Sequence, residues 1–242
     1  MTKKVVLITG ANKGIGYEVA RQLADNGFIV LLGARDPERG EAAAKKLRTG
    51  SSDVHFVPLN TIDEQSIQSA AEMVTKKWEK VDVLVNNAGI FPEYSLGIRP
   101  SLLEVSMLKD TFETNVFGSF GVIHYFLPLL KKAVVGQIVN VSSTLGSLGS
   151  MTNPDSMYSE TNTSAYNASK SALNALTVAL AKDLLPEQIR INSICPGWVQ
   201  TDLGTDAAPR TVEQGATIIV KLAMMEHPPT GKFLDDDGEI PW

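Results

Sequence analysis

The chain of 242 residues is long enough to bury a substantial core, and its net charge of −5 argues against nucleic acid or an anionic membrane surface as its partner. No apolar run approaches the roughly 18 residues of a membrane span. The four apolar residues behind Lys3 and Lys4 are too few for a signal-peptide core. The single cysteine, Cys195, excludes an intrachain disulfide and is typical of a reducing compartment, so we expect a cytoplasmic protein. The three histidines lack zinc spacing, and we expect no metal site.

Short β-rich runs alternate with longer segments of helical spacing along nearly the whole chain. Seven strands are predicted, at Val5–Thr9, Phe28–Leu32, Val54–Pro58, Val81–Asn86, Gln137–Ser142, Ile189–Cys195 and Lys232–Leu234. Six helices are predicted between them, at Ile15–Asp25, Pro37–Leu47, Glu64–Lys77, Leu102–Lys132, Ala165–Leu184 and Thr211–Met225.

Near-continuous apolar strands separated by helices indicate a parallel sheet that is covered on both faces. No Pro/Gly/Ser-rich linker divides the pattern. We therefore predict a single α/β domain over residues 1–242, a doubly wound Rossmann-type fold with a mostly parallel seven-stranded sheet. The least regular stretch, residues 143–164, is rich in Ser, Thr and Gly and is predicted to be a surface loop that carries part of the function.

The first predicted strand is followed by the glycine-rich turn TGANKGIG, residues 9–16. Gly10 permits a tight turn, Gly14 lets backbone N–H groups approach a pyrophosphate, and Gly16 lets the next helix pack close to the sheet. The positive end of that helix favours the anion. Glycine turns between a strand and a helix are common, so this turn alone is a weak indication of nucleotide binding.

Five further motifs follow the turn in a fixed order along the chain. They are NNAG at 86–89, NVFG with Asn115, VNVSS with Ser142 and Ser143, YNASK with Tyr166 and Lys170, and CPGWVQTDL at 195–203. Together with the Gly-x3-Gly-x-Gly spacing of the turn, this ordered set resembles the short-chain dehydrogenase/reductase superfamily over essentially the whole chain. The segments GxNKGIG, ARDxxRG and PGWVQTD, with the final Trp242, look most like its carbonyl reductase branch.

The resemblance implies roles for four residues in a hydride-transfer reaction. Tyr166 would give a proton to the substrate oxygen while a nicotinamide cofactor delivers hydride to its carbon. Ser143 would hydrogen-bond that oxygen, Lys170 would bind the nicotinamide ribose, and Asn115 would anchor a water leading to Lys170. Relatives place the catalytic serine third after the strand asparagine, which favours Ser143 over its neighbour. The alternative is a purely structural Tyr–Lys pair beside a serine-capped strand.

The resemblance also implies a cofactor site. NNAG would line its adenosine side, and the Pro-Gly turn would hold the nicotinamide amide with its backbone. The implied cofactor-binding residues are Gly10, Asn12, Lys13, Gly14, Ile15, Gly16, Arg35, Asn60, Thr61, Asn87, Ala88, Gly89, Asn115, Tyr166, Lys170, Pro196, Gly197, Val199 and Thr201.

Spacing of four places Tyr166 and Lys170 on one face of a helix. A free tyrosine has a pKa near 10, about three units too high for efficient acid/base work at neutral pH. A neighbouring lysine cation and an oxidised nicotinamide would both favour the phenolate, so we expect them to lower the pKa of Tyr166.

The choice of cofactor depends on the end of the second strand, LLGARDPERG. A carboxylate there would accept from a ribose 2′-hydroxyl of NAD, whereas a cation would pair with the 2′-phosphate of NADP. Asp36 precedes Pro37 and is predicted to cap the next helix, which leaves Ala34 where NAD-using relatives place their acid. Arg35 is then available to a phosphate, and Lys13 offers a second cation. We predict NADP(H).

Two departures from the family pattern concern binding and assembly. Asn60 stands where many relatives have an aspartate that accepts from the adenine amine; its amide oxygen can still accept. The 22 residues between Ser143 and Tyr166 exceed those of compact tetrameric members and fall short of the insertion in monomeric carbonyl reductases. The helix that carries Tyr166 has small residues that permit close helix approach, but the loop before it could shield them, so we favour a monomer over a homodimer or tetramer. The small residues are Ala165, Ala168, Ser169 and Ala172.

The leading functional prediction is an NADPH-dependent reductase of ketones and aldehydes that acts on a small-molecule carbonyl substrate. The stretch after Thr201 is short, which predicts an open cleft and bulky or aromatic substrates. One alternative is an NADP-dependent alcohol dehydrogenase that works in the oxidative direction. Another is a nicotinamide-sensing regulatory protein without turnover, although such proteins typically lose the tyrosine or the lysine.

Overall fold

All seven predicted strands are present in the computed structural model, which describes residues 3–50, 52–94 and 96–242. The strands are β1 (Val5–Ile8), β2 (Ile29–Ala34), β3 (Asp53–Pro58), β4 (Val83–Asn86), β5 (Gly136–Val141), β6 (Ile189–Ile194) and β7 (Phe233–Leu234). They form one parallel sheet in the order β3-β2-β1-β4-β5-β6-β7. The order in which successive strands are added to the sheet therefore reverses between β1 and β4. Folds of this kind open a crevice at that point, at the carboxyl ends of the strands.

Within the part of the chain that the structure describes, eight helices accompany the sheet, because two of the predicted segments contain additional helical elements. The helices are α1 (Gly14–Asp25), α2 (Pro37–Leu47), α3 (Glu64–Trp78), α4 (Val105–Phe112), α5 (Ser119–Leu130), α6 (Leu148–Thr152), α7 (Ala165–Leu184) and α8 (Val212–Met224). The predicted helix at 102–132 starts three residues later than expected, and a π-helical turn at Glu113–Gly118 joins its two halves.

The sheet packs helices on both faces, as predicted. Successive residues of a strand point to opposite faces, so Val6 and Ile8 pack with α1, α2 and α8, while Val5 and Leu7 pack with α3, α5 and α7. All four side chains are buried. Fully burying a side chain of this size contributes about 1.5–3 kcal/mol, which is why the apolar pattern of β1 fixes its place at the sheet centre. The organisation as one domain stays a prediction.

A buried chain of polar side chains ties the sheet centre to α7. Asn86 donates to Asn140 over 2.9 Å, Asn140 donates to Thr177 over 2.9 Å, and Ser193 donates to the same hydroxyl over 2.9 Å. A buried amide without a partner is costly, so this chain favours one placement of α7 against the strands. It thereby sets where the start of α7 lies.

The stretch 143–164 is a loop from residue 153 onward, as predicted, but its first part contains short helical elements that the sequence did not predict. It contains a 3₁₀ turn at Thr144–Gly146 followed by α6. Ser143 caps the first and Ser147 the second, because each hydroxyl accepts a backbone N–H. Ser147 is fully buried and donates to the carbonyl of Pro241 over 2.6 Å. Two of the serines that suggested a loop therefore cap short helical elements.

Two features of the described chain concern membranes and metals. No helix in residues 3–50, 52–94 and 96–242 combines the length and apolarity needed to cross a bilayer. The same residues contain no cluster of three or more His, Cys, Asp or Glu side chains arranged to hold a metal ion.

Candidate active site

The glycine turn adopts a conformation that requires its glycines. Gly10 and Gly14 have φ values of +63° and +58°, which side chains disfavour. A Cβ on Gly16 would lie 2.5 Å from Nδ2 of Asn87 and 2.9 Å from the carbonyl oxygen of Gly10. Lys13 stands at the N-cap of α1 without a side-chain capping bond, so the first N–H groups of α1 stay available to an anion. This turn fits the pyrophosphate of a dinucleotide.

The NNAG segment holds that turn against the sheet. Asn87 donates from its side chain to the carbonyls of Thr9 and Gly10, over 2.9 and 3.2 Å. The hydroxyl of Thr9 accepts the backbone N–H groups of Asn87 and Ala88 in return. The side chain of Asn87, a predicted cofactor residue, is thus hydrogen-bonded within the protein and stabilises the conformation of the glycine turn.

The end of β2 has the arrangement that the sequence predicts. Asp36 caps α2 by accepting the backbone N–H of Arg39 over 3.0 Å. Arg35 is exposed and forms no ion pair within the part of the chain that the structure describes. Asn60 and Thr61 follow β3 at the same edge of the sheet, before α3. A phosphate beside Arg35 would therefore meet a cation without an internal competitor.

Lys13, the second predicted cation, has a partner that the sequence analysis missed. Its ammonium group forms an exposed ion pair with Asp202, which follows Thr201 in the loop after β6. This interaction lowers the pKa of Asp202. A Cβ on Gly14, the next residue of the turn, would also come within 3.4 Å of the Thr201 methyl group. The glycine turn and the loop after β6 are thus close neighbours.

Tyr166 and Lys170 lie in the first two turns of α7, and both are buried. The Lys170 ammonium donates to the carbonyl of Val141 over 2.8 Å and lies 5.5 Å from the centre of the Tyr166 ring. Burial lowers the pKa of Lys170 to about 8. Burial also raises the pKa of Tyr166 above its ordinary value, and hydrogen bonding to Ser143 opposes this effect only in part. In the protein by itself, the direction of the Tyr166 shift is therefore opposite to that expected from the lysine alone.

The structure distinguishes the two serines that follow β5. Ser142 is buried and donates to the side chain of Asn174 over 2.7 Å. Ser143 is partly exposed, and its hydroxyl accepts the backbone N–H of Leu145 over 3.2 Å. Of the two serines, Ser143 is thus the partly exposed one that lies beside Tyr166, and its role toward a substrate oxygen stays a prediction.

Asn115 lies in the π-helical turn, with its side chain directed away from the helix. Its Oδ1 accepts the N–H of Ile90 over 2.9 Å, and its Nδ2 donates to the Ile90 carbonyl and to Ser169, each over 3.0 Å. A Cβ on Gly89 would lie 3.3 Å from the same Oδ1 and 3.6 Å from Nζ of Lys170. The amide braces the chain beside Lys170. The predicted role in holding a water stays a prediction.

The segment after β6 surrounds the thiol of the single cysteine. Cys195 Sγ accepts from the N–H and the hydroxyl of Thr144 and from the N–H of Gly197, over 3.2–3.4 Å. Gly197 has φ of +78°. Pro196 lies between Cys195 and Gly197, and Val199 is buried. The predicted Pro-Gly turn is therefore fixed to the start of the 143–164 stretch.

Two residues in contact with Tyr166 carry no recognisable sequence motif. The ring of Phe91 stacks on the ring of Tyr166 with a centroid distance of 3.9 Å and an angle of 12°. Glu93 is buried against the start of α7. An acidic residue inside the apolar segment IFPEY was the only signal, and it does not say which helix the carboxylate meets.

The crevice, the glycine turn and the buried Tyr–Lys pair define a dinucleotide-dependent oxidoreductase site. The family model described as short chain dehydrogenase matches residues 4–212. The chain belongs to this family.

Several relatives are similar over nearly their whole length. The chain is 35% identical over 248 residues to "Short-chain dehydrogenase anuI" from Penicillium roqueforti, covering 99% of this chain and 97% of the relative. It is 33% identical over 281 residues to "Carbonyl reductase [NADPH] 1" from Mus musculus, covering 100% and 99%. Among solved structures, NADPH-bound carbonyl reductase from chicken fatty liver superposes over all of both chains with a TM-score of 0.87 and 28% identity.

Proposed function

We propose that this protein is an NADPH-dependent reductase of ketone and aldehyde carbonyls. The observation that carries the proposal is the buried Tyr166–Lys170 pair beside Ser143, at the sheet edge that also carries the glycine turn. The similarity to the mouse carbonyl reductase and to the NADPH-bound chicken structure supports the cofactor and the reaction. We propose that all the cofactor-binding residues implied by the family resemblance contact NADPH.

In this proposal the residues of the chain divide the work at the carbonyl group. Bound NADPH supplies the hydride that the carbonyl carbon accepts. The Tyr166 hydroxyl donates its proton to the carbonyl oxygen, and Ser143 hydrogen-bonds that oxygen while negative charge develops on it. The Lys170 ammonium donates one N–H to the Val141 carbonyl, and its other N–H groups can donate to ribose hydroxyls.

We propose reduction as the direction, in line with the names of the similar carbonyl reductases. Reduction needs the protonated phenol, whereas alcohol oxidation needs the phenolate as a base. Burial raises the pKa of Tyr166, so the phenol is the form present in the protein by itself.

Exposed apolar side chains in the stretch between Ser143 and Tyr166 support the proposal of bulky or aromatic substrates. Leu148 and Met157, in the stretch between Ser143 and Tyr166, are 66% and 83% exposed. Exposed apolar surface of this kind can pack against an apolar substrate. We further propose a monomer that acts in the cytoplasm.

The function is tested by a panel of aromatic and aliphatic ketones and aldehydes, with consumption of NADPH and of NADH followed separately. We expect the alcohol product to accumulate with NADPH and with bulky aromatic carbonyls. Binding of NADPH without turnover of any carbonyl would instead support the nicotinamide-sensing alternative. Turnover confined to alcohols would support the oxidative one.

Replacing Arg35 by Ala should remove most of the preference for NADPH. A charge-assisted hydrogen bond contributes roughly 1.5–3 kcal/mol, so the NADPH/NADH ratio of kcat/KM should fall by about 10- to 150-fold. Arg99→Ala, which removes an exposed arginine outside the proposed cofactor site, is the matched control. A wild-type enzyme that uses both cofactors equally well would refute this assignment.

Replacing Asp202 by Asn should strengthen NADPH binding. In the wild type, a 2′-phosphate competes with the Asp202 carboxylate for Lys13, and the substitution removes that competitor. Exposed ion pairs are weak, so the gain in affinity should reach about fivefold at most and should be absent for NADH. Titration of both cofactors by fluorescence, with Asp206→Asn as the control from the same loop, measures the difference. Weaker NADPH binding in Asp202→Asn would contradict it.

A further inference from the structure

The N-terminus of α7 is capped by Glu93, which lies in the loop after β4, far from α7 in the sequence. Glu93 is 4% exposed. Its Oε1 accepts the backbone N–H of Tyr166 over 2.9 Å, and its Oε2 accepts that of Ala165 over 3.1 Å. Ser164, the local N-cap residue, makes no side-chain capping bond. The first turn of α7 is therefore held by one carboxylate bound to two adjacent amides.

The same loop also contacts the side chain of Tyr166 and is itself anchored. Phe91, two residues before Glu93, stacks on the Tyr166 ring at 3.9 Å. Ile90 is fixed through both of its backbone polar groups by Asn115. Backbone and ring of the tyrosine are thus both held by residues 90–93, which we call the bracing loop.

The charge of Glu93 is balanced by the helix rather than by a cation. Within the described ranges Glu93 forms no ion pair, and its oxygens face the N–H groups at the positive end of α7. The other titratable groups around Tyr166 are Lys170 on α7 and Cys195 after β6. A negative charge on the carboxylate that binds the Tyr166 backbone opposes formation of a second negative charge on the Tyr166 side chain.

We propose that Glu93 is a positioning residue for the reaction, holding Tyr166 in place through the first turn of α7 and favouring its protonated, proton-donating form. This proposal rests on the proposed reductase function. Neither the glycine turn nor the Tyr-Lys motif requires an acid at this position.

The test uses Glu93→Gln, which keeps the shape and one acceptor oxygen but removes the charge. For oxidation of the product alcohol by NADP⁺, the pH at which the rate rises should shift to lower values by about 0.5–1 unit. The sign follows because losing a nearby negative charge lowers the pKa of Tyr166, so the phenolate forms at lower pH. The kcat for ketone reduction should fall about tenfold through misplacement of the hydroxyl, with KM for NADPH unchanged.

Glu104→Gln is the matched control, because this exposed glutamate stands at the N-cap of α4 without a side-chain capping bond. It removes the same charge and should leave the pH profile unchanged. A Glu93→Gln profile that coincides with the Glu104→Gln profile would overturn the proposal, whatever happens to the melting temperature.

A second measurement separates this proposal from the proposed function. In the cofactor-free protein, Glu93→Ala should speed hydrogen exchange at the Ala165 and Tyr166 amides by about tenfold or more, because both lose their acceptor. Unchanged exchange would overturn the capping role. If the wild type reduces no carbonyl, the proposed function fails, and this exchange experiment still decides whether Glu93 holds the catalytic helix.

Discussion

Replacing Tyr166 by Phe is expected to lower kcat for ketone reduction by about two to four orders of magnitude. The substitution removes only the hydroxyl that donates the proton. The ring keeps its stacking on Phe91 and its buried place on α7, so folding and NADPH affinity should stay near wild type. Steady-state kinetics, thermal unfolding and a fluorescence titration with NADPH measure the three quantities on the same preparation.

Tyr125→Phe is the matched control for that experiment. Tyr125 lies on α5, and its hydroxyl donates to the carboxylate of Glu64 over 2.7 Å at the exposed surface. It loses the same atom away from the site and should keep wild-type turnover. Near-wild-type ketone reduction by Tyr166→Phe would refute the mechanism.

Replacing Lys170 by Ala is expected to lower turnover by about 100-fold or more and to weaken NADPH binding by about tenfold. The ammonium group is the cation beside the Tyr166 ring, and the loss of a nearby positive charge disfavours the phenolate. The variant also loses the proposed ribose contact and leaves the carbonyl of Val141 without this donor. Both turnover and NADPH affinity should therefore fall in Lys170→Ala, whereas only turnover should fall in Tyr166→Phe.

Lys170→Met controls for the cavity that alanine would leave, since it retains the length of the side chain but not its charge. It should reproduce the loss of turnover. Lys182→Ala removes an exposed lysine from the last turn of the same helix and should behave as wild type. Cofactor affinity unchanged in Lys170→Met would show that the lysine does not contact the ribose.

The sequence predicted the sheet and the helices well because their determinants are local. Apolar runs of strand length and helical spacing can be recognised without knowing the fold, and Asp36 with the adjacent Pro37 predicts the start of α2 at Pro37, where the helix begins. The π-helical turn at Glu113–Gly118 was not predictable in this way, since its residues keep the spacing of an ordinary helix. The caps inside 143–164 were missed because serine is typical of loops as well as of helix starts.

The site was predicted as far as its residues belong to ordered motifs. The contacts that tune it were not, because they join distant parts of the chain. Lys13 and Asp202 are separated by 189 positions, and Glu93 and Tyr166 by 73. Only the folded sheet brings these pairs together. For the same reason, the burial that raises the pKa of Tyr166 could not be read from the spacing of Tyr166 and Lys170.

The most direct test of the account is a single-turnover reaction of NADPH-loaded enzyme with an aromatic ketone, comparing wild type with Tyr166→Phe. Loss of the reduced-nicotinamide absorbance under these conditions reports the chemical step rather than product release. We predict that wild type converts one equivalent of ketone to alcohol, and that Tyr166→Phe does so about 100-fold or more slowly with the same amount of NADPH bound. Equal rates in the two proteins, or no loss of absorbance in the wild type, would contradict carbonyl reduction with Tyr166 as the proton donor.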